Sequence, residues 1–152
     1  MALFHHLPLR VLWADTDPAG IMWFGVFFRY FEQAEEELFR RLGEDRTQLL
    51  RHLGIFMPRT SLQSRFRSPA RLGDEIAVGV GVSSIGERRI EYAFDVRDRL
   101  TDRLISEASY RVACVDAATF ERRTFPETIT RLLKPALLSS SRGGDMGARE
   151  SS

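Results

Sequence analysis

Asp15 and Asp17 stand two residues apart in Asp15-Thr16-Asp17-Pro18-Ala19-Gly20, where two acids, a proline and a glycine make turn chemistry. Just beyond, Phe24, Phe27, Phe28, Phe31, Ala34, Leu38, Phe39 and Leu42 fall at helical spacing. A turn that delivers a carboxylate to the head of a helix can do specific chemistry. The first N–H groups of a helix lack intrahelical partners and carry the positive end of its dipole. A carbonyl oxygen held there is polarised, and an oxyanion developing on it is stabilised. The carboxylate can then attack the carbonyl carbon or activate a water. The same segment is also good turn and capping sequence, so the residues alone leave both readings open. Asp15 can cap the turn or support Asp17, and two acids so close can shift one another's ionisation if they meet in space.

Other reactive groups are few. The single cysteine, Cys114, lies in the alternating run Tyr110-Arg111-Val112-Ala113-Cys114-Val115 and reads as a buried thiol. One cysteine forms no internal disulfide, and no Cys/His cluster has zinc spacing, so no metal is expected. His5, His6 and His52 all lie outside the acidic segment.

The elements around that segment form a simple order. Leu9 to Ala14 alternates like a half-buried strand. The helix is predicted over Phe24 to Leu42 with Gly43 as its stop, and its wide aromatic stripe predicts enclosure by other structure. A short second helix is expected between Glu44 and Leu53. Extended segments follow at Ile55 to Arg67, Asp74 to Ser83, Arg89 to Val96 and Leu104 to Val115, with a hairpin turn at Arg99-Leu100-Thr101-Asp102. A last helix is predicted from about Pro126 to Leu138. Strands in succession after one long helix indicate an α+β fold with an antiparallel sheet, the helix lying on one sheet face.

Composition narrows the class further. At 152 residues and 43% hydrophobic, the chain is expected to form one domain over residues 1–138. The small, polar stretch 139–152 is expected to be a disordered tail. A net charge of +1 leaves no broad basic field for nucleic acid. No 18-residue apolar run and no leader pattern is present, which predicts a soluble cytoplasmic protein without a membrane span. Lys134 is the only lysine; the remaining basic residues are arginine, suited to bidentate phosphate contacts, although a GC-rich genome produces the same bias.

The run Asp15-Thr16-Asp17-Pro18-Ala19-Gly20-Ile21-Met22-Trp23-Phe24 resembles the signature of hotdog-fold acyl-CoA thioesterases, most nearly the 4-hydroxybenzoyl-CoA thioesterase type. The likeness continues through Phe28-Arg29-Tyr30-Phe31-Glu32 and Arg88-Arg89, covering roughly residues 8 to 135 and weakening after Gly43. It implies a five-stranded antiparallel sheet wrapped around one long central helix. It implies Asp17 as the catalytic carboxylate and the Phe24 backbone N–H as oxyanion donor. Whether Asp17 forms a covalent anhydride or directs water stays open. Related short-chain enzymes often carry His at the position of Phe24; this chain does not, which favours an aromatic acyl group. An aryl pocket would suit Trp23, Phe24, Phe27 and Phe28, and aromatic residues at helical spacing also suit a core. By the same resemblance Glu32 faces the pocket, Met57, Pro58 and Arg59 flank the pantetheine arm, and Arg88, Arg89, Arg122 and Arg123 meet the coenzyme A phosphates, partly across a subunit boundary. Solvated strand ends and a solvated helix face suit the same charged residues. No cofactor is implied, coenzyme A being part of the substrate, and the assembly implied is a homotetramer, with a dimer as the alternative. A non-catalytic acyl-CoA-binding hotdog module is the rival reading; a hotdog hydratase is a third, but its Asp/His pair is absent.

Overall fold

The computed structural model describes residues 2–139. The stretch 140–152, nearly all of the expected tail, lies outside the described residues. The elements run β1 (His5–Arg10), a 3-10 turn (Trp13–Asp15), α1 (Phe24–Arg41), α2 (Arg46–Leu53), β2 (Ile55–Phe56) and β3 (Arg59–Phe66). They continue with β4 (Glu75–Ile85), β5 (Ile90–Asp98), β6 (Leu104–Val112), β7 (Cys114–Asp116), β8 (Arg122–Arg123), α3 (Glu127–Leu133) and a closing 3-10 turn (Lys134–Ala136).

Five strands form one antiparallel sheet in the order β1-β4-β5-β6-β3. One face carries a continuous apolar set: Ile76, Val78, Val80 and Val82 from β4, then Ile90, Tyr92, Phe94 and Val96 from β5. Period-two alternation puts these residues on one side, and α1 lies against them. Its buried residues, Val26, Phe27, Tyr30, Phe31, Ala34, Glu35, Leu38 and Phe39, recur at the spacing of one helical face. Register irregularities at Ser61, Ser84 and Arg97 break the ladder locally. Such bulges bend strands and raise twist, which lets the sheet curl around the helix. This is the hotdog layout, α+β with the sheet wrapped around one long helix.

Phe31 sits at the centre of that contact, fully buried, with ring centroids 5.0 Å from Phe94 and 5.9 Å from Tyr110. Removing the ring leaves a cavity that the sheet and helix cannot both close. Phe31→Ala is therefore expected to lower stability by about 3–5 kcal/mol, read from denaturant midpoints at constant m-value; a loss under 1 kcal/mol would contradict this packing.

Several boundaries differ from the sequence reading. The first strand ends at Arg10, paired opposite Glu75, four residues before the predicted end. Val11 still donates to the Asp74 carbonyl, but the chain then turns into the 3-10 segment, with Trp13 largely exposed. Met57 and Pro58 divide the extended 55–67 run, and Ala113 divides the last strand. The pieces β2 and β7, joined by β8, make a small second sheet in the order β2-β7-β8. The final helix is one short α segment and a 3-10 turn because Pro135 cannot supply an N–H to a longer helix. The Arg88–Arg89 pair lies in the turn before β5 rather than in the strand.

Candidate active site

The acidic turn is pinned on both sides. Thr16 bridges Met22, the Asp17 N–H donates to the Ile21 carbonyl at 2.9 Å, and the Gly20 N–H returns to the Asp17 carbonyl at 2.9 Å. Gly20 has φ +75°, a left-handed conformation that glycine adopts without steric cost. The Met22 N–H donates to the Ala70 carbonyl at 2.8 Å, fastening the returning limb to the loop before β4. The half-buried Asp17 side chain accepts the Ala19 N–H on Oδ1 at 2.8 Å; among the described residues its Oδ2 accepts no hydrogen bond.

Asp17 and the head of α1 line one cleft of about 640 Å³. Its walls are Ile21, Met22, Trp23, Phe24 and Phe27 on one side and Phe66, Arg67, Ser68 and Pro69 on the other. Trp23 is the N-cap of α1, with no side-chain cap, so Phe24 is the first helical residue. The Phe24 N–H has no intrahelical acceptor by position, and none of the turn, loop or cap hydrogen bonds of the described residues uses it. The Trp23 indole lies across Gly25, where a Cβ would come within 2.1 Å of the ring, so glycine lets the indole fold over the helix start. The Phe27 and Phe66 rings meet edge-on at 5.1 Å and close the cleft floor. The Ser68 hydroxyl donates to the Leu104 carbonyl, and burial pushes the Cys114 thiol up, so neither is a prepared nucleophile.

Asp15 behaves differently from Asp17. It is 1% exposed and accepts hydrogen bonds from the Arg29 guanidinium, the Tyr30 hydroxyl and the Leu12 N–H. The buried acid holds the turn; the second acid faces the cleft. Arg29 and Tyr30 have no role in the sequence reading, nor do Phe66, Arg67 and Pro69. A tyrosine among the phenylalanines of the first two helical turns was the available signal, since a buried phenol needs a hydrogen-bond partner.

The other predicted residues lie elsewhere. Glu32 is on the exposed side of α1, in a groove with Phe28, Arg29, Arg59 and Tyr110, and not in the Asp17 cleft. Met57, Pro58 and Arg59 line a separate pocket of about 490 Å³ formed by α1, α2 and β2. Arg88, Arg89, Arg122 and Arg123 are all exposed, and one backbone bond, Phe125 N–H to the Glu87 carbonyl at 2.8 Å, draws their two segments together. That end of the sheet carries Ile90 opposite Val112, which in turn lies opposite Arg59. The Asp17 cleft is at the Phe66 end of β3. Over that strand the separation is roughly 23 Å, so within one chain the arginines do not border the cleft.

The 490 Å³ pocket holds Glu35, the one buried glutamate among the described residues, between Arg59 and Arg46 (Nη1 at 3.4 Å). Burial pushes the Glu35 carboxyl up from 4.5, with Arg59 and Arg46 opposing the shift. A native carboxyl above its unfolded value binds its proton more firmly than the unfolded chain does. Stability from this group is therefore complete at low pH and declines as pH rises from about 4.5 through the folded value. Glu35→Gln should flatten the fall in melting temperature between pH 4.5 and 7; an unchanged slope would contradict the direction of this shift.

The sequence matches the thioesterase-like superfamily over residues 11–133. The chain belongs to that family. A 1,4-dihydroxy-2-naphthoyl-CoA hydrolase from Thermosynechococcus vestitus is 28% identical over 134 residues, spanning 85% of this chain and 91% of the relative. The acyl-CoA thioesterase YbgC of Haemophilus influenzae is 28% identical over 122 residues, 80% of this chain and 88% of the relative. A 1,4-dihydroxy-2-naphthoyl-CoA thioesterase structure from Synechocystis superposes with a TM-score of 0.77 at 19% identity, covering 84% of this chain and 93% of that one, and shows the shared fold. Among the described residues of this thioesterase, no helix is long and apolar enough to cross a membrane, and no group of three or more His, Cys, Asp or Glu is placed to hold a metal.

Proposed function

We propose that this thioesterase hydrolyses an acyl-CoA bearing an aromatic, 4-hydroxybenzoyl-like acyl group to the free acid and coenzyme A. Asp17 is its reacting carboxylate and the Phe24 N–H its oxyanion donor. One observation carries the reading: Asp17 and Phe24, whose N–H has no partner among the described residues, line a single cleft. A thioester carbonyl seated between them has its oxygen at the positive end of the helix and its carbon open to the carboxylate. If Asp17 attacks, the C–S bond breaks, coenzyme A leaves as the thiolate, and water cleaves the resulting anhydride. If Asp17 acts as base, it takes a proton from the water that attacks the same carbon. Both routes use the same two groups.

The aromatic preference is supported by the walls, since Trp23, Phe24, Phe27 and Phe66 offer ring faces and edges at the cleft. The naphthoyl-CoA hydrolase among the relatives has a name consistent with such an acyl group, while the YbgC relative is named only for acyl-CoA. An aromatic pair is worth about 0.5–1.5 kcal/mol beyond area burial, so a preference of about tenfold over acetyl-CoA is expected.

The distance from cleft to arginines supports an assembly. β3 is an edge strand with free backbone groups, exposed along nearly its whole length. Two copies joined antiparallel through β3 would lay one copy's Arg59 end against the other's Phe66 end. Met57, Pro58, Arg59 and the four arginines of one copy would then border the Asp17 cleft of the other, within reach of the pantetheine arm and phosphates. We propose a homotetramer built from two such dimers.

Thiol release from benzoyl-, 4-hydroxybenzoyl-, 1,4-dihydroxy-2-naphthoyl-, hexanoyl- and acetyl-CoA tests the reading. Turnover is expected, fastest with an aryl thioester. Saturable binding of an aryl-CoA with no thiol released from any of them would identify a binding module instead.

A further inference from the structure

The proposed mechanism requires a fixed separation between the Asp17 carboxylate, carried by a turn, and the Phe24 N–H, carried by a helix. The bonds within the turn run between residues 16 and 22 and stop two residues short of Phe24. The bonds that leave it toward α1 all belong to Asp15. Its backbone carbonyl accepts the Trp23 N–H at 3.2 Å, which holds the residue before Phe24 beside the turn. Its carboxylate accepts from Arg29 on Oδ1 and from Tyr30 on Oδ2, both inside α1. The Leu12 N–H donates to the same Oδ2 at 3.0 Å, so the limb entering from β1 is held by the same group. Tyr30 lies six residues into the helix, a rise of about 9 Å from Phe24. The acidic turn is thus tied to the helix at its head and again in its second turn.

The arrangement is costly. A carboxylate with 1% exposure loses its hydration, and three donors replace it. Burial and the bond to Asp15 push the Tyr30 phenol well up, so it remains a donor throughout the physiological range. Arg29 stays 61% exposed along its side chain while its guanidinium reaches the buried oxygen. It pays little desolvation itself, and it is replaceable without opening the core.

We propose that Asp15, held by Arg29 and Tyr30, is a positioning residue that sets the separation of Asp17 from the Phe24 N–H during thioester hydrolysis. The inference rests on the proposed role of Asp17. A positioning tie acts on the transition state more than on substrate binding, because an error of about 1 Å between reacting groups costs rate far more than affinity. It also predicts that Arg29 and Tyr30 work as one unit through a common partner.

The test compares Arg29→Met, Arg29→Lys, Tyr30→Phe and the Arg29→Met/Tyr30→Phe double variant with the full-length wild type and with Asp17→Asn. Arg29→Met and Tyr30→Phe are each expected to lower kcat by about tenfold to thirtyfold, with KM within threefold. Arg29→Lys, which keeps a charged donor, should return to within about threefold of wild-type kcat. The double variant should lose less than the product of the single losses. Hydrogen exchange supplies a readout independent of turnover: the Asp17 and Trp23 amides should exchange at least tenfold faster in Arg29→Met, with β4 and β5 amides unchanged.

A kcat within twofold of wild type in both single variants, beside an inactive Asp17→Asn, would overturn the positioning role and leave Asp17 in place. A kcat loss in Arg29→Met that Arg29→Lys does not recover would overturn it too. If wild type releases no thiol from any acyl-CoA, the role of Asp17 falls, and unchanged exchange at Asp17 and Trp23 would then dispose of the clamp as well. Should Tyr30→Phe fold poorly, the exposed Arg29 pair decides the question.

Discussion

Asp17→Asn is expected to lower kcat by a factor on the order of 10³ while leaving KM and the melting temperature close to wild type. The substitution keeps the shape of the side chain. Asparagine still offers an oxygen to the Ala19 N–H, the one hydrogen bond the Asp17 side chain accepts among the described residues. The turn should therefore stand, with Gly20 and the Thr16–Met22 bridge undisturbed. What disappears is the charge proposed to attack the carbonyl or to take the proton of water. Steady-state thiol release checks the rate, and a thermal melt checks the fold. Full activity in the variant would remove Asp17 from the mechanism. An equal loss at Asp15→Asn would not rescue it, because Asp15 is buried away from the cleft and its change acts on the turn.

Phe24→Pro is expected to have a comparably large effect, because it deletes the proposed oxyanion donor. Proline has no N–H, and the first position of a helix is where its fixed φ fits and where no intrahelical bond is lost. The residue before a proline prefers an extended conformation, and Trp23 already has φ −77° and ψ 149°. The helix should therefore form with its first N–H removed. A loss of one oxyanion donor is worth about 10² to 10³ in kcat. The Phe24 ring, 65% exposed, is lost at the same time, so Phe24→Ala is the matched control: it loses the ring and keeps the N–H. The expected order in kcat is wild type, then Phe24→Ala within about tenfold, then Phe24→Pro at least a further tenfold lower. Equal rates in the alanine and proline variants would show that this amide does not contact the reacting oxygen.

Much of the fold around the candidate site was legible in the sequence, and the limits have physical causes. The α1 stripe was legible because eight apolar residues in nineteen repeat at 3.6, and the helix ends at Arg41, one residue before the predicted last residue, Leu42. The pairing of an acidic turn with a helix head was legible because the two adjoin in sequence. Apart from the resemblance, the residues did not show which of Asp15 and Asp17 is buried, since burial depends on which way the 3-10 turn faces the helix. The first strand was placed too late for a similar reason: alternation over Leu9 to Ala14 continues past Arg10, where the partner strand ends at Glu75. β2 and β8, two residues each, are too short to show any period. The convergence of Arg88–Arg89 with Arg122–Arg123 at one sheet end depends on a backbone bond between segments 38 residues apart, Glu87 and Phe125, and no local pattern encodes it.

A crystal structure with a non-hydrolysable aryl-acyl-CoA analogue tests the central claim most directly. The acyl ring is expected among Trp23, Phe27 and Phe66. The carbonyl oxygen is expected at about 3 Å from the Phe24 nitrogen, with an Asp17 oxygen facing the carbonyl carbon directly or through one water. An analogue seated with its carbonyl beside Glu35 or in the Glu32 groove, leaving the Asp17 cleft empty, would contradict that claim.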